Sequence, residues 1–170
     1  MWIERSRQVI RFEKIKSLFD LSNKTLYDVG CGYGDFYFYL LENMVTLKKY
    51  SGIDLIQAHC DEAKKRLPPE VSIFCGDFLN HTPARHDVFV LSGALNFYEK
   101  GWLSFAKKTI NKMWKFADEA IIFNIRSSYD HRQYDDIKPS FWCAFAERKT
   151  KIFSICHDYM KNDFTILMLK

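Results

Sequence analysis

The stretch LYDVGCGYGDF, residues 26–36, places three glycines at alternate positions directly after a short apolar run. Glycines after a strand let the backbone bend sharply, and without Cβ atoms they let a ligand approach the main chain closely. A helix that follows such a turn adds free N–H donors and a partial positive charge at its first residues. The turn can therefore cradle a phosphate, hold another nucleoside cofactor, or serve only as a tight bend.

The residues around the glycines argue against both phosphate-binding patterns. A P-loop requires Lys-Ser or Lys-Thr after the glycines, and neither dipeptide follows them here. The dinucleotide pattern G-x-G-x-x-G/A fits Gly30 and Gly32, but Asp35 stands at its third position and would set a carboxylate against pyrophosphate. What remains is an acid, Asp28, two residues before the glycines, which suits a ligand that carries a cationic amino group and no phosphate.

The spacing of apolar residues on either side of the turn predicts alternating strands and helices. We expect strands at residues 25–29, 50–55, 71–75, 86–91, 120–125, 151–155 and 164–169, and helices at residues 3–19, 35–44, 57–67, 102–116 and 141–147. This alternation is typical of a parallel α/β sheet, whereas the last two strands are close enough in sequence to pair only as a hairpin. We therefore expect an α/β fold whose seven-stranded, mostly parallel sheet has helices on both faces. Its last strand should be antiparallel, and the hairpin should place an antiparallel member at one edge of the sheet.

Length and composition fit a single domain over residues 1–170, with an ordinary 48% of hydrophobic and 27% of charged residues. The formal net charge of +4 permits an anionic partner without requiring one.

The N-terminus lacks the apolar core of a signal peptide, and residues 88–97 are too few to span a bilayer, so we expect a cytoplasmic protein that does not enter membranes. The five cysteines are odd in number and form no C-x-x-C pair, so we expect neither a metal site nor disulfides.

Several motifs in the right order make the sequence resemble the class I S-adenosylmethionine-dependent methyltransferases. They are YDVGCGYGDF (27–36), YSGIDL (50–55), FCGDF (74–78), HDVFVLSGALNF (86–97) and the closing DFTILMLK (163–170). The resemblance implies a Rossmann-like fold and the cofactor S-adenosyl-L-methionine, with S-adenosyl-L-homocysteine as product. QVIRF, SGALNF, FNIRSS and HDYMKNDFTI are further similar to a bacterial subgroup of small methyltransferases with no firmly assigned substrate.

The resemblance implies a cofactor role for the motif residues that match the family pattern. Asp54 would receive both ribose hydroxyls, and Asp77 would meet the adenine amino group. Phe78 would meet the adenine ring or be its backbone partner, while Asp28 would support the ammonium group. The expected cofactor-binding residues are Arg11, Asp28, Gly30, Cys31, Gly32, Gly34, Asp54, Leu55, Asp77, Phe78 and Ser92. Plainer interpretations stay open, because Asp28 and Asp77 could be turn residues, Asp54 a helix cap and Cys31 a small packing residue.

Three residues outside the glycine turn are further candidates for the site. Arg11, on the first helix, could pair with the methionine carboxylate of the cofactor or be an exposed helical arginine. Asn96, after the fourth strand, is the best candidate for orienting the acceptor, with Ser92 on the cofactor side. Tyr159, between the last two strands, is a second catalytic candidate at the substrate mouth, or a turn residue. Residues 1–22 would form an N-terminal helix over the cofactor site, and residues 126–150 a lid or insertion before the last hairpin.

The sequence says less about the methyl acceptor. Methyl transfer from a sulfonium depends mainly on alignment, so no universal catalytic residue is expected. The loop SGALNF lacks the [DNS]-P-P-[YF] pattern of enzymes that methylate exocyclic base amines, and no recognition domain is visible, so we expect a small molecule or a sugar. An RNA acceptor is the alternative, since residues 1–24 carry six basic and three acidic residues. A non-catalytic partner subunit that keeps the fold is a further alternative, against which the intact cofactor motifs argue. The oligomeric state is not predicted.

Overall fold

The computed structural model describes residues 2–96, 100–126 and 138–170, with the side chains of residues 2–4 excluded. Within these ranges the chain alternates between helices and strands, as the sequence predicts. The elements are α1 (Trp2–Leu18), β1 (Thr25–Val29), α2 (Asp35–Glu42), β2 (Lys49–Asp54), α3 (Gln57–Arg66), β3 (Ser72–Cys75), β4 (His86–Leu91), α4 (Trp102–Phe116), β5 (Ala117–Arg126), α5 (Pro139–Glu147), β6 (Phe153–Cys156) and β7 (Asp163–Leu169). The α/β fold class is confirmed, and most predicted bounds lie within three residues of the observed ones.

All seven strands belong to one sheet, in the order β3-β2-β1-β4-β5-β7-β6. The strands β1 to β5 pair in parallel, and β7 runs antiparallel to both β5 and β6. The prediction of a Rossmann-like sheet with an antiparallel last strand, and with the last two strands paired as a hairpin at one end of the sheet, is thus confirmed. Strand β7 pairs along its whole length with β5 and is buried on both faces, so it lies inside the sheet. The shorter and partly exposed β6 forms the edge.

Helices cover both faces of the sheet, and each face carries a hydrophobic cluster. Phe12 of α1, Phe36 of α2 and Ala63 of α3 belong to one cluster. Ile110 of α4 and Trp142 of α5 belong to the other cluster. Since both faces are covered, the inner strands are apolar on both sides, as is usual for parallel sheets.

The segment predicted as a lid, residues 126–150, is only partly described. Residues 127–137 lie outside the described residues, so a lid role for them stays a prediction. The helix α5 packs into the core, because Trp142 is fully buried against Trp102, Phe123 and Phe141. The helix predicted at residues 141–147 is confirmed, and its buried face indicates a structural role for this part of the segment. No helix in the described ranges combines the length and the apolar character needed to cross a membrane.

The strand order fixes where a ligand can bind. Strand β1 lies between β2 and β4, so the chain passes to opposite sides of β1 in its successive crossovers. In open α/β sheets, ligands bind outside the carboxyl ends of the strands at such a switch point. The glycine turn, Asp54, Asp77 and Ser92 all follow or end strands at this edge of the sheet. The topology therefore brings the sequence motifs together.

Candidate active site

A cavity of about 1440 Å³ lies at the carboxyl ends of the parallel strands. We call it the main cavity. It exceeds the 300–1,000 Å³ that is usual for a single small-ligand site, so it has room for a cofactor and a second molecule. Eight of the predicted site residues line it, namely Arg11, Gly30, Gly32, Asp54, Leu55, Asp77, Phe78 and Ser92. The other five, Asp28, Cys31, Gly34, Asn96 and Tyr159, are not among the lining residues.

The glycine turn is held tightly against the end of β2. The backbone N–H groups of Gly30 and Cys31 both donate to the Ile53 carbonyl, at 2.8 and 3.0 Å. Gly30, Gly32 and Gly34 all have positive φ angles, a region that L-residues with side chains rarely adopt. A Cβ on Gly30 would lie 2.4 Å from the Ala94 Cβ, so the close approach of the two loops requires glycine here.

The remaining residues of the turn divide between packing and ligand contact. A Cβ on Gly34 would collide with the Leu67 side chain, and the Cys31 side chain packs against Gly52 of β2. Cys31 is buried, so the structure supports its interpretation as a small packing residue. A Cβ on Gly32, in contrast, would meet no atom within 4 Å in the described part of the chain, and Gly32 lines the main cavity. The backbone beside Gly32 is thus left open to a ligand.

Asp54 ends β2 and connects the glycine turn to α3. One carboxylate oxygen, Oδ2, accepts a hydrogen bond from Gly32 N, and the other, Oδ1, accepts one from Ile56 N, both at 2.9 Å. His59 Nδ1 lies 3.1 Å from Oδ1. Oδ2 keeps a lone pair beyond its bond to Gly32 N, and Asp54 lines the main cavity, so this oxygen can also accept from the ribose. The capping and the ligand interpretations of Asp54 are compatible.

Asp77 and Phe78 follow β3, which ends beside Asp54, and both line the main cavity. The Asp77 carboxylate accepts hydrogen bonds from Leu79 N at 2.8 Å and from Asn80 Nδ2 at 2.9 Å, so it does cap a turn. It also lines the main cavity, and so an amino group can reach it. Phe78 is largely buried beside Tyr27, with a ring-centroid distance of 6.1 Å, and exposes one part to the cavity.

Asp28 is placed differently from the prediction. Its carboxylate is buried and accepts a hydrogen bond from the Tyr50 hydroxyl. Burial raises the pKa of Asp28 to about 7, although the Tyr50 hydrogen bond opposes this rise. Because Asp28 does not line the main cavity, any support of an ammonium group would act through the turn that it precedes. Tyr50, which sequence reasoning missed, is a buried polar partner that only the pairing of β1 with β2 reveals.

Arg11 and Asn96 lie near the loop after β4. Arg11 lines the main cavity, but its guanidinium is already paired with Asp163 of β7, at 2.7 Å from Nη2 to Oδ2. The backbone N–H of Asn96 donates to the Gly93 carbonyl at 3.2 Å. The buried side-chain oxygen of Asn96 has no hydrogen-bond partner among the described residues, so it is free to serve as an acceptor. The roles predicted for Arg11 and Asn96 stay predictions.

Tyr159 lies beside a second, smaller cavity of about 370 Å³ and not beside the main cavity. Its hydroxyl donates to Asp163 Oδ1 and shares a hydrogen bond of 2.7 Å with Thr165 Oγ1. Burial and the Asp163 hydrogen bond raise the pKa of Tyr159, which makes it a poor general base. The structure thus argues against a catalytic Tyr159 and gives its hydroxyl a structural partner.

Sequence reasoning also missed the contribution of α4 to the cavity. Phe105 and Thr109 of α4 line it beside Phe78 and Leu91. Thr109 is buried, and its hydroxyl has no hydrogen-bond partner among the described residues. The sequence did offer one sign of this contribution, because Thr109 is a polar residue on the apolar face of the helix predicted at residues 102–116. Among the described residues, no three His, Cys, Asp or Glu side chains are arranged to hold a metal ion.

A glycine turn after β1, an acid at the end of β2 and a second acid after β3 define an α/β protein with a site for a nucleoside ligand. The sequence matches the methyltransferase domain family over residues 26–115, more than half of the chain. The protein therefore belongs to this methyltransferase family. Among curated proteins, none matches the sequence.

Solved structures share the fold. A protein from Listeria monocytogenes assigned as an S-adenosylmethionine-dependent methyltransferase aligns with a TM-score of 0.71 and 16% identity, over 100% of this chain and 99% of that one. The methyltransferase domain of bacterial CtHen1 aligns with a TM-score of 0.70 and 13% identity, over 95% and 98%. The magnesium protoporphyrin IX methyltransferase of Synechocystis, solved with bound S-adenosylhomocysteine, aligns with a TM-score of 0.68 and 13% identity, over 98% and 82%. At such identities the likeness concerns the fold.

Proposed function

We propose that this chain transfers a methyl group from S-adenosylmethionine to a small molecule or a sugar by in-line displacement. The observation that carries the proposal is the main cavity, in which Gly32, Asp54 and Asp77 come together at the switch point of the sheet. The chain's membership of the methyltransferase family supports the reaction class. The S-adenosylhomocysteine bound to the Synechocystis enzyme supports the choice of cofactor.

The residues that line the cavity fit this cofactor. A Cβ on Gly32 or on Gly76 would meet no atom within 4 Å among residues 2–96, 100–126 and 138–170, so the backbone leaves space for a ligand at both points. Asp54 would accept the ribose hydroxyls, Asp77 the adenine amino group, and Phe78 would contact the adenine ring. Arg11 would face the methionine carboxylate. When bound, S-adenosylmethionine supplies a methyl group on a positively charged sulfur, which leaves as a neutral thioether.

The protein's task in such a transfer is alignment and the exclusion of water. Holding two reactants in an attack geometry supplies much of the rate enhancement of a displacement, and closure of the site strengthens the electrostatic interactions within it. Ser92, in the loop after β4, would contact the cofactor, and Asn96, four residues later, would orient the acceptor. A general base is needed only if the accepting atom holds a proton of high pKa. The nature of the accepting atom therefore decides whether the reaction needs a general base.

A small acceptor is favoured by the size and lining of the cavity. Its volume of about 1440 Å³ leaves space beyond a cofactor. Val9, Phe38 and Tyr39 give this space an apolar and aromatic lining. Arg5, Gln8 and Glu42 add polar groups around it. Such a mixture suits a compact ligand with an apolar body and a few polar groups.

A transfer assay with methyl-labelled S-adenosylmethionine tests the proposal. A cell extract is separated into a small-molecule fraction and an RNA fraction, and the label is followed into each. We expect label in the small-molecule fraction, dependent on the protein and abolished in Asp54→Ala. Label in RNA, with binding that weakens steeply as salt rises, would instead establish the alternative that uses the basic residues of α1. Cofactor binding without transfer to either fraction would favour a non-catalytic partner subunit.

A further inference from the structure

A buried polar network joins α1, β7, β5 and the loop after β4. At its centre is Asp163, the first residue of β7, whose side chain is 1% exposed. Its carboxylate accepts hydrogen bonds from Arg11 Nε at 2.8 Å, from Arg11 Nη2 at 2.7 Å, from Asn124 Nδ2 at 3.1 Å and from the Tyr159 hydroxyl. Asn124 Oδ1 in turn accepts from Gly93 N at 2.7 Å. We call these five residues the Asp163 network.

The charge of Asp163 fixes the direction of every hydrogen bond in this network. An ionised carboxylate only accepts, so Asn124 must turn its amide nitrogen toward Asp163. Its amide oxygen then faces Gly93 N. This orients Gly93, which has a φ of 81°, in the loop that lines the main cavity. A neutral asparagine at position 163 would turn its NH2 group toward side chains that are themselves hydrogen-bond donors. This would disturb the arrangement of donors and acceptors in the network.

Arg11 is oriented by the same carboxylate. Asp163 engages Nε and Nη2, and this leaves Nη1 without a hydrogen-bond partner among the described residues. A Cβ on Gly93 would lie 3.9 Å from Nη1, so the free end of the guanidinium lies beside the loop. Arg11 and Gly93 both line the main cavity, whereas Asp163 and Asn124 do not.

We propose that Asp163 and Asn124 are positioning residues that hold Arg11 and Gly93 as two walls of a subsite for the α-carboxylate of the cofactor's amino-acid end. This inference rests on the proposed function, because it names the part of the cofactor that the subsite recognises. The planar guanidinium suits a carboxylate, and buried partners hold its orientation before the ligand arrives. The last strand thereby contributes to cofactor binding without lining the cavity.

The test compares two ligands that differ in one group. S-adenosylmethionine carries the α-carboxylate, and decarboxylated S-adenosylmethionine lacks it but keeps the ammonium, the sulfonium, the ribose and the adenine. Calorimetry gives the dissociation constant of each ligand, and their ratio measures carboxylate recognition alone. We expect the wild-type protein to prefer S-adenosylmethionine by about tenfold or more, the value of one charge-assisted hydrogen bond.

Three variants isolate the network. Asp163→Asn keeps the size of the side chain but disturbs the order of donors, and Arg11→Lys keeps the charge but loses the planar fork. We expect both to lower the preference to within about threefold, through weaker binding of S-adenosylmethionine and nearly unchanged binding of the decarboxylated ligand. Asp158→Asn is the matched control. It removes an exposed ion pair to Lys14 of α1, at 3.1 Å, and should keep the wild-type preference.

The possible outcomes separate the two claims. A lower melting temperature in Asp163→Asn with an unchanged preference would show a merely structural role and overturn the inference for Asp163. An unchanged preference for S-adenosylmethionine in Arg11→Lys would overturn the subsite itself. This variant also keeps the proposal testable if Asp163→Asn fails to fold. A wild-type protein that binds both ligands equally would overturn this inference alone. A wild-type protein that binds neither would overturn the proposed function as well.

Discussion

Gly32 is the residue at which ligand contact can be separated most cleanly from folding. Its φ is +55°, and a Cβ would meet no atom within 4 Å in the part of the chain that the structure describes, although Gly32 lines the main cavity. We expect Gly32→Ala to cost about 1 kcal/mol of stability, from the left-handed backbone, and to weaken cofactor binding about tenfold or more because the methyl group occupies ligand space. Thermal unfolding and calorimetry measure the two effects.

Gly101 supplies the matched control for Gly32. It also has a positive φ, +89°, and an added Cβ would meet no atom of the described residues within 4 Å. Gly101 precedes α4 and is not among the residues that line the main cavity. Gly101→Ala should therefore show a similar loss of stability with unchanged affinity. Equal affinity losses in both variants would contradict the assignment of the turn to the cofactor.

Individual residues were predictable where local spacing carries the information. The glycines of the turn, Asp54 and Asp77 end or follow strands in a recognisable order. All of these residues except Gly34 line the main cavity. Asp28 was assigned to the ligand from its place just before the glycines, and Tyr159 to catalysis from its place between the last two strands. Their actual partners, Tyr50 and Asp163, come from other strands, and the bonds depend on a three-dimensional register that one sequence does not display.

The elements themselves follow closely from apolar periodicity. Strands β1 and β4 and helix α4 have the predicted bounds. The place of β7 was not predictable in the same way, because a hairpin can join the sheet through either strand. Strand β7 makes seven residue pairs with β5 and is nearly fully buried, whereas β6 is shorter and half exposed. The difference in apolar length decides which strand lies inside.

Helix α5 allows a test of core packing against a lid function. Trp142 is fully buried in the cluster that also holds Phe123 and Trp102, and it does not line the main cavity. We expect Trp142→Ala to lower the free energy of unfolding by about 3–5 kcal/mol and to leave cofactor affinity unchanged under conditions where the variant is folded. Urea unfolding and calorimetry measure these quantities. A marked loss of affinity with little loss of stability would instead assign α5 to the lid.

For the whole molecule, Asp28 predicts a pH dependence of stability. Burial raises its pKa from 3.8 to about 7, so between these values the folded state holds a proton that the unfolded state has released. The contribution of Asp28 is thus fully present below about pH 4 and is lost as the pH rises through about 7. The loss amounts to about 4 kcal/mol at most.

The comparison with Asp28→Asn isolates this contribution. The asparagine oxygen can still accept from Tyr50, but it carries no titrating proton. We expect the free energy of unfolding of the wild type, relative to the variant, to fall as the pH rises from about 4 to 7 and to stay level above. Denaturant unfolding at a series of pH values measures it. If the difference in unfolding free energy between wild type and variant were constant over this range, it would contradict a buried Asp28 carboxyl with a raised pKa.

The central claim is that the carboxyl ends of β1 to β4 form a site for S-adenosylmethionine, and Asp54 joins the turn to that site. Calorimetric titration of the wild type, Asp54→Ala and the exposed control Asp61→Ala with S-adenosylmethionine tests it most directly. We expect binding to the wild type and to Asp61→Ala, and about a hundredfold weaker binding to Asp54→Ala, since charge-assisted bonds to the ribose are lost. The absence of any binding to the wild type, or equal affinity in Asp54→Ala, would contradict the account.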